Sequence, residues 1–193
     1  MARLTIPSTG KCSSDASEIC AFLKPYGIWY ECWDTGKPRV APEADASEIL
    51  AAYQPEIDAL KAKGGYVTAD LINVSPDTEG LDAMLAKFSK EHTHSEDEVR
   101  FCVRGNGVFH INPETSPVFA IEMEAGDLIN VPAGTRHWFN LCENRSIRVI
   151  RMFLDPTGWT PHYLEDRVDQ NYEVLCFSQT KPEQETLKSV VKP

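Results

Sequence analysis

From Glu98 to Val103 polar and apolar side chains alternate: Val99, Phe101 and Val103 take one parity, and Glu98, Arg100 and Cys102 take the other. A period of two predicts a strand, because successive side chains of an extended chain point to opposite faces. Asn106-Gly107 reads as a hairpin turn, with 108–112 returning as the partner strand. Further strands are expected at 66–74, 118–123, 127–131, 136–141 and 146–153, with Pro132-Ala133-Gly134 as a turn having proline second and glycine fourth. Short strands at close spacing predict a jelly roll or similar barrel.

The first third of the chain has a helical period instead. Asp15-Ala16-Ser17-Glu18 and Asp45-Ala46-Ser47-Glu48 each place an acceptor three residues before a glutamate, which marks a helix start. After the second, Ile49, Leu50, Tyr53, Ile57 and Leu60 form an apolar stripe that stops at Gly64-Gly65. Pro55 inside that stripe predicts a kink or a break into two helices. A third helix is expected over 78–89, with Leu81, Met84, Leu85 and Phe88 on one side. The expected fold is therefore mainly β with flanking α-helices. One domain covers 1–180, made of a mainly helical N-terminal part (1–65) and a barrel segment (66–177), and a polar tail follows at 181–193.

Composition narrows the function. The 193 residues, 42% hydrophobic and 25% charged, suit a soluble globular domain. A formal net charge of −10 argues against sequence-independent nucleic-acid binding and against adhesion to anionic membrane. No apolar run is long enough to span a bilayer, and the N-terminus lacks the apolar core of a signal peptide. The six cysteines show no CxxC pair and read as free thiols of a cytoplasmic protein.

Candidate chemistry centres on His92, His94 and Glu98, which share one parity, and on His137 downstream. Three imidazoles and one carboxylate can grip one metal ion. Four protein donors would close a tetrahedral zinc site but leave two positions open on an octahedral ion, which suits Fe2+, Ni2+, Co2+ or Mn2+. Arg100 shares the parity of Glu98, and Arg151 interrupts the apolar face of Ile147, Val149 and Phe153. Two inward arginines beside a cation call for an anionic ligand, a metal-bound carboxylate or a small anionic substrate such as a deprotonated ene-diol. Phe139 and Trp159 would form apolar wall. Asp97 has the opposite parity, which argues against a role as proton acceptor; His110 reads as packing, His162 as a loop residue near Trp159, and Arg148 as surface.

The segments His92-Thr93-His94-Ser95-Glu96-Asp97-Glu98-Val99-Arg100-Phe101 and Val131-Pro132-Ala133-Gly134-Thr135-Arg136-His137-Trp138-Phe139 resemble the signature of the acireductone dioxygenase family, within the cupin superfamily. Arg151 and Trp159 also fall where that family has an arginine and a tryptophan. The resemblance implies a cupin double-stranded β-helix (jelly-roll) barrel and one divalent ion per chain, Fe2+ or Ni2+, held by His92, His94, Glu98 and His137. It implies catalytic roles for Arg100 and Arg151, and a substrate pocket lined by Phe88, Phe139 and Trp159. The implied reaction cleaves 1,2-dihydroxy-3-keto-5-methylthiopent-1-ene with O2 in methionine salvage. Iron gives formate and 4-methylthio-2-oxobutanoate; nickel gives formate, carbon monoxide and 3-methylthiopropanoate. A monomer without nucleic-acid or membrane partners is expected. The rival readings are another metal-dependent cupin oxygenase or isomerase, and a cupin that binds a ligand without turnover.

Overall fold

Two antiparallel sheets share their longest strand. In the computed structural model, which describes residues 1–33, 39–155, 160–174 and 176, that strand is β6 (Glu98–Ile111). Its first half pairs with β8 (Asp127–Val131) and β10 (Ile147–Phe153). Its second half pairs with β7 (Phe119–Glu124) and β9 (His137–Leu141). On the first sheet β10 continues to β4 (Thr68–Val74), and β8 to β3 (Trp29–Cys32). The second sheet runs outward from β7 through β1 (Arg3–Ile6) to β2 (Lys11–Ser13), and from β9 to β5 (His92–Thr93) and β11 (His162–Tyr163).

The continuity of β6 corrects the expected hairpin at Asn106-Gly107. Both residues are in the ladder, Asn106 opposite Glu124 and Gly107 opposite Met123. The glycines here answer to close approach rather than to a turn. A Cβ at Gly107 would lie 2.3 Å from the Phe139 ring, and one at Gly105 would lie 2.1 Å from the Ser146 carbonyl oxygen. Gly105 also has φ 80°, and the register with β10 slips between Arg148 and Val149, which marks a bulge where β6 passes from one sheet to the other. The turn before β9 is displaced by one residue from its expected place: Thr135 N donates to Pro132 O, which puts Gly134 third, at φ 75°.

Between the sheets lies a core of Phe109, Ile111, Ile121, Ile129 and Val149, joined by Ile19 and Leu23 of α1 (Ala16–Leu23) and Leu81 of α4 (Leu81–Phe88). A second cluster covers the outer face of the β10–β6–β8 sheet. There Ile49 of α2 (Ala46–Ala52) and Ile57 and Leu60 of α3 (Gln54–Gly64) meet Val99, Phe101 and Ile150. Pro55 falls in the first turn of α3, so the stripe breaks into two helices. Asp45 forms the full reciprocal capping box, whereas Asp15 accepts only from Glu18 N, because the Glu18 carboxylate is taken by Ser13.

The N-terminal part is less purely helical than its pattern suggests, since β1, β2 and β3 join the sheets. The expectation of six free thiols is also corrected: Cys142 and Cys176 form a disulfide, while Cys12, Cys20, Cys32 and Cys102 are free. Cys142, just after β9, and Cys176 meet over one small buried cluster with Val108 and Ala120, their Cα atoms 5.7 Å apart. No helix among the described residues is long and apolar enough to cross a membrane.

Candidate metal centre

Strand pairing brings the ligand candidates together. β5 and β9 lie antiparallel with His92 directly opposite His137, and Glu98 opens β6 alongside. His94, just beyond β5, is fixed when its carbonyl accepts from Gly134 N at 2.9 Å. The four side chains are buried, and their donor atoms lie within 4.8 Å of one another.

Each imidazole turns Nδ1 toward a backbone carbonyl: His92 to Lys90 at 2.6 Å, His94 to Thr160 at 3.0 Å, His137 to Thr135 at 2.7 Å. A carbonyl only accepts, so Nδ1 carries a proton, and in its neutral form each ring presents the Nε2 lone pair to the centre. His137 Nε2 lies 2.9 Å and His94 Nε2 3.1 Å from Glu98 Oε2, and His92 Nε2 has no hydrogen-bond partner. Three lone pairs and a carboxylate thus face one another in a buried space. A divalent cation satisfies all four donors at once, and this outer ring of carbonyls is the support that metal-bound histidines ordinarily have. Burial, aided by neighbouring His137, pushes His92 down to about 4, which keeps its ring neutral. Burial alone would raise Glu98. The adjoining Arg100 charge leads in overriding it, and the carboxyl is held well below the usual carboxylate range.

Arg100 lies in the same buried space. Its Nε forms a close ion pair with Glu98 Oε1 at 2.5 Å, and its guanidinium sits 4.6 Å from the Phe139 ring centre. Phe109 at 5.3 Å and Phe88 at 5.9 Å complete an aromatic wall. Arg151 is directly opposite Arg100 in the β10–β6 ladder and so shares its face. It is paired with Asp70 of β4, to which Nε donates at 2.8 Å and Nη2 at 2.5 Å. Four charges therefore run across the face, the two cations Arg151 and Arg100 side by side and flanked by the anions Asp70 and Glu98.

Asp97 turns away from this space. It accepts from Ala133 N at 3.0 Å and from Asn130 and Tyr66, tying the His94–Glu98 segment to the turn before His137. His110 is buried and stacked 4.9 Å from Trp138 on the other face of the sheet, and His162 is exposed in β11. Arg148 donates to Asn73, Pro42 and Ala44 on the helix-covered side. Trp159 lies outside the described residues. Two residues went unforeseen: Glu91 and Arg136, each immediately before a candidate ligand. Arg136 Nε lies 3.1 Å from the buried Glu91 Oε1, which also accepts from Asn112. A fully buried Glu91 has no signature in the strand alternation; its place beside His92 is the one available hint.

A cupin barrel whose interior presents three histidines, one carboxylate and an adjoining arginine defines the class as a mainly-β metal-site protein. The sequence profile of the ARD/ARD' family matches residues 17–161, and the chain belongs to that family. It is 45% identical over 164 residues to the acireductone dioxygenase of Picosynechococcus sp., covering 85% of this chain and 93% of the relative. It is 46% identical over 158 residues to that of Stutzerimonas stutzeri, covering 82% and 86%. Among solved structures it resembles the acireductone dioxygenase from Bacillus anthracis with cadmium ion in its active center, at 36% identity and a TM-score of 0.77. That match covers 84% of this chain and 98% of the other.

Proposed function

We propose that the chain is a metal-dependent dioxygenase that cleaves acireductone with O2 in methionine salvage. The observation that carries the reading is the convergence of His92, His94 and His137 Nε2 on Glu98 with Arg100 against it. The named relatives and the cadmium-bearing neighbour support it. His92, His94, Glu98 and His137 would hold one ion, and mixed nitrogen and oxygen donors suit Fe2+ or Ni2+. When bound, the ion supplies positive charge and a chelating template for an oxygen-rich anion.

The remaining work falls to this chain's own side chains. Arg100, fixed between Glu98 and the aromatic wall, offers its charge to an ene-diolate oxygen; Arg151 adds a second cation, for which substrate must compete with Asp70. Phe88 and Phe139 exclude water and hold the apolar arm of the substrate; Trp159 is assigned to the same wall by resemblance. Asp97 has its oxygens engaged by Ala133 N, Asn130 and Tyr66, so it is not given a proton-transfer role. We read residues 1–180 as one cupin domain and the protein as a cytoplasmic monomer, to be checked by sedimentation. Anaerobically generated acireductone should be consumed on O2 addition far faster with Fe2+-loaded protein than without it; no gain in rate would remove the enzyme reading. Product analysis of Fe2+- and Ni2+-loaded protein, with carbon monoxide as the marker, distinguishes the two outcomes.

A further inference from the structure

From Thr160 onward the chain runs along the outer side of the β5–β9–β6 sheet and meets the candidate metal site from behind. The Thr160 carbonyl accepts a hydrogen bond from His94 Nδ1 at 3.0 Å. Tyr163 of β11 pairs with His92 of β5. Glu91, the residue before His92, is held at both ends of its peptide: its carbonyl accepts from Leu164 N at 3.2 Å, and its N donates to Asp169 Oδ1 at 3.2 Å. Arg136, the residue before His137, is paired with Asp166 at 2.5 Å. All three histidines are thus oriented, directly or through a neighbour, by one strap of chain, residues 160–174, with Cys176 beyond its end.

That strap has almost no apolar anchorage. None of residues 160–174 is buried; Tyr163 is 50% exposed and Val174 39%. The one buried residue described at its far end is Cys176, joined to Cys142. Hydrogen bonds and exposed ion pairs alone hold a surface segment weakly, because water competes for every group. The disulfide is what makes these contacts effectively intramolecular at short range.

We propose that Cys142–Cys176 is a redox-sensitive latch on the metal site, an inference that rests on the metal reading above. A dithiol reductant opens it: one reductant thiolate attacks a protein sulfur, and the second closes the reductant's own disulfide. Two electrons pass to the protein, and Cys142 and Cys176 each gain a proton. The freed strap releases Thr160 from His94 and loosens Glu91 and Arg136, so the grip on the ion weakens. Loss of such outer supports costs metal affinity roughly 10–100-fold.

The test uses the full chain loaded with Ni2+. Unreduced proteolytic mapping of air-equilibrated protein should recover a Cys142–Cys176 peptide pair. Transfer of Ni2+ to a chelator, followed by absorbance, should quicken about tenfold when a phosphine reductant is added. Cys176→Ser should show the fast rate with or without phosphine; if that variant does not fold, the wild-type comparison stands by itself. Equal release rates in oxidised and reduced wild type, or a full set of six free thiols in air-equilibrated protein, would overturn the latch. Failure to take up Ni2+ in any redox state would overturn the metal reading itself, a result distinct from unchanged release.

Discussion

Asp97 and Glu98 are neighbouring carboxylates with opposite tasks, and parity separates them. Glu98 faces His94, His137 and Arg100, while Asp97 accepts from Ala133 N and braces one ligand segment against the other. Asp97→Ala should therefore cost about 1–3 kcal/mol of stability in urea denaturation, through unpaired donors, with metal content unchanged. His94→Ala should lose bound metal by elemental analysis while the far-ultraviolet circular dichroism stays native; full retention would take His94 out of the ligand set. Arg151→Ala should keep metal but lose turnover, and unchanged kinetics would show that substrate never displaces Asp70. The facing of Glu98, Arg100 and Arg151 could be read from alternation, because that is local geometry. The partner of Arg151 could not: Asp70 is 81 positions away, and only strand register brings it alongside.

At the level of elements, β6 shows how a strong local signal can mislead. Asn-Gly between two alternating runs is the best short hairpin cue, yet here the strand continues through it. What local pattern cannot convey is that the Phe139 ring of the neighbouring strand β9 lies over Gly107, leaving no room for a Cβ there. Gly107→Ala should push the Phe139 ring aside and cost about 1–3 kcal/mol, measured by urea midpoint. The same crowding displaces the wall against which Arg100 rests, so weaker substrate binding should accompany it. The helices around α2 and α3 were legible because caps and proline are written in sequence. The strands β1 to β3 were not, since each is three or four residues long and shows too little alternation to register.

The whole molecule carries two buried histidines that burial lowers to about 4: His92, helped by His137, and His110, where the Glu173 backbone opposes the shift. An unfolded histidine titrates near 6.5, so between those values the unfolded chain binds more protons than the native one. Stability of metal-free protein should fall as pH drops from about 6.5 toward about 4. Urea midpoints at pH 7.5 and 5 test this, and His110→Phe should flatten the dependence. β6 has a further consequence at this scale. Both sheets borrow hydrogen bonds from its backbone, so neither can fray as a separate half while the other stays intact. Amide protons along Glu98–Ile111 should be the last to exchange with deuterium, escaping only when the entire barrel opens, with a single cooperative step in calorimetry.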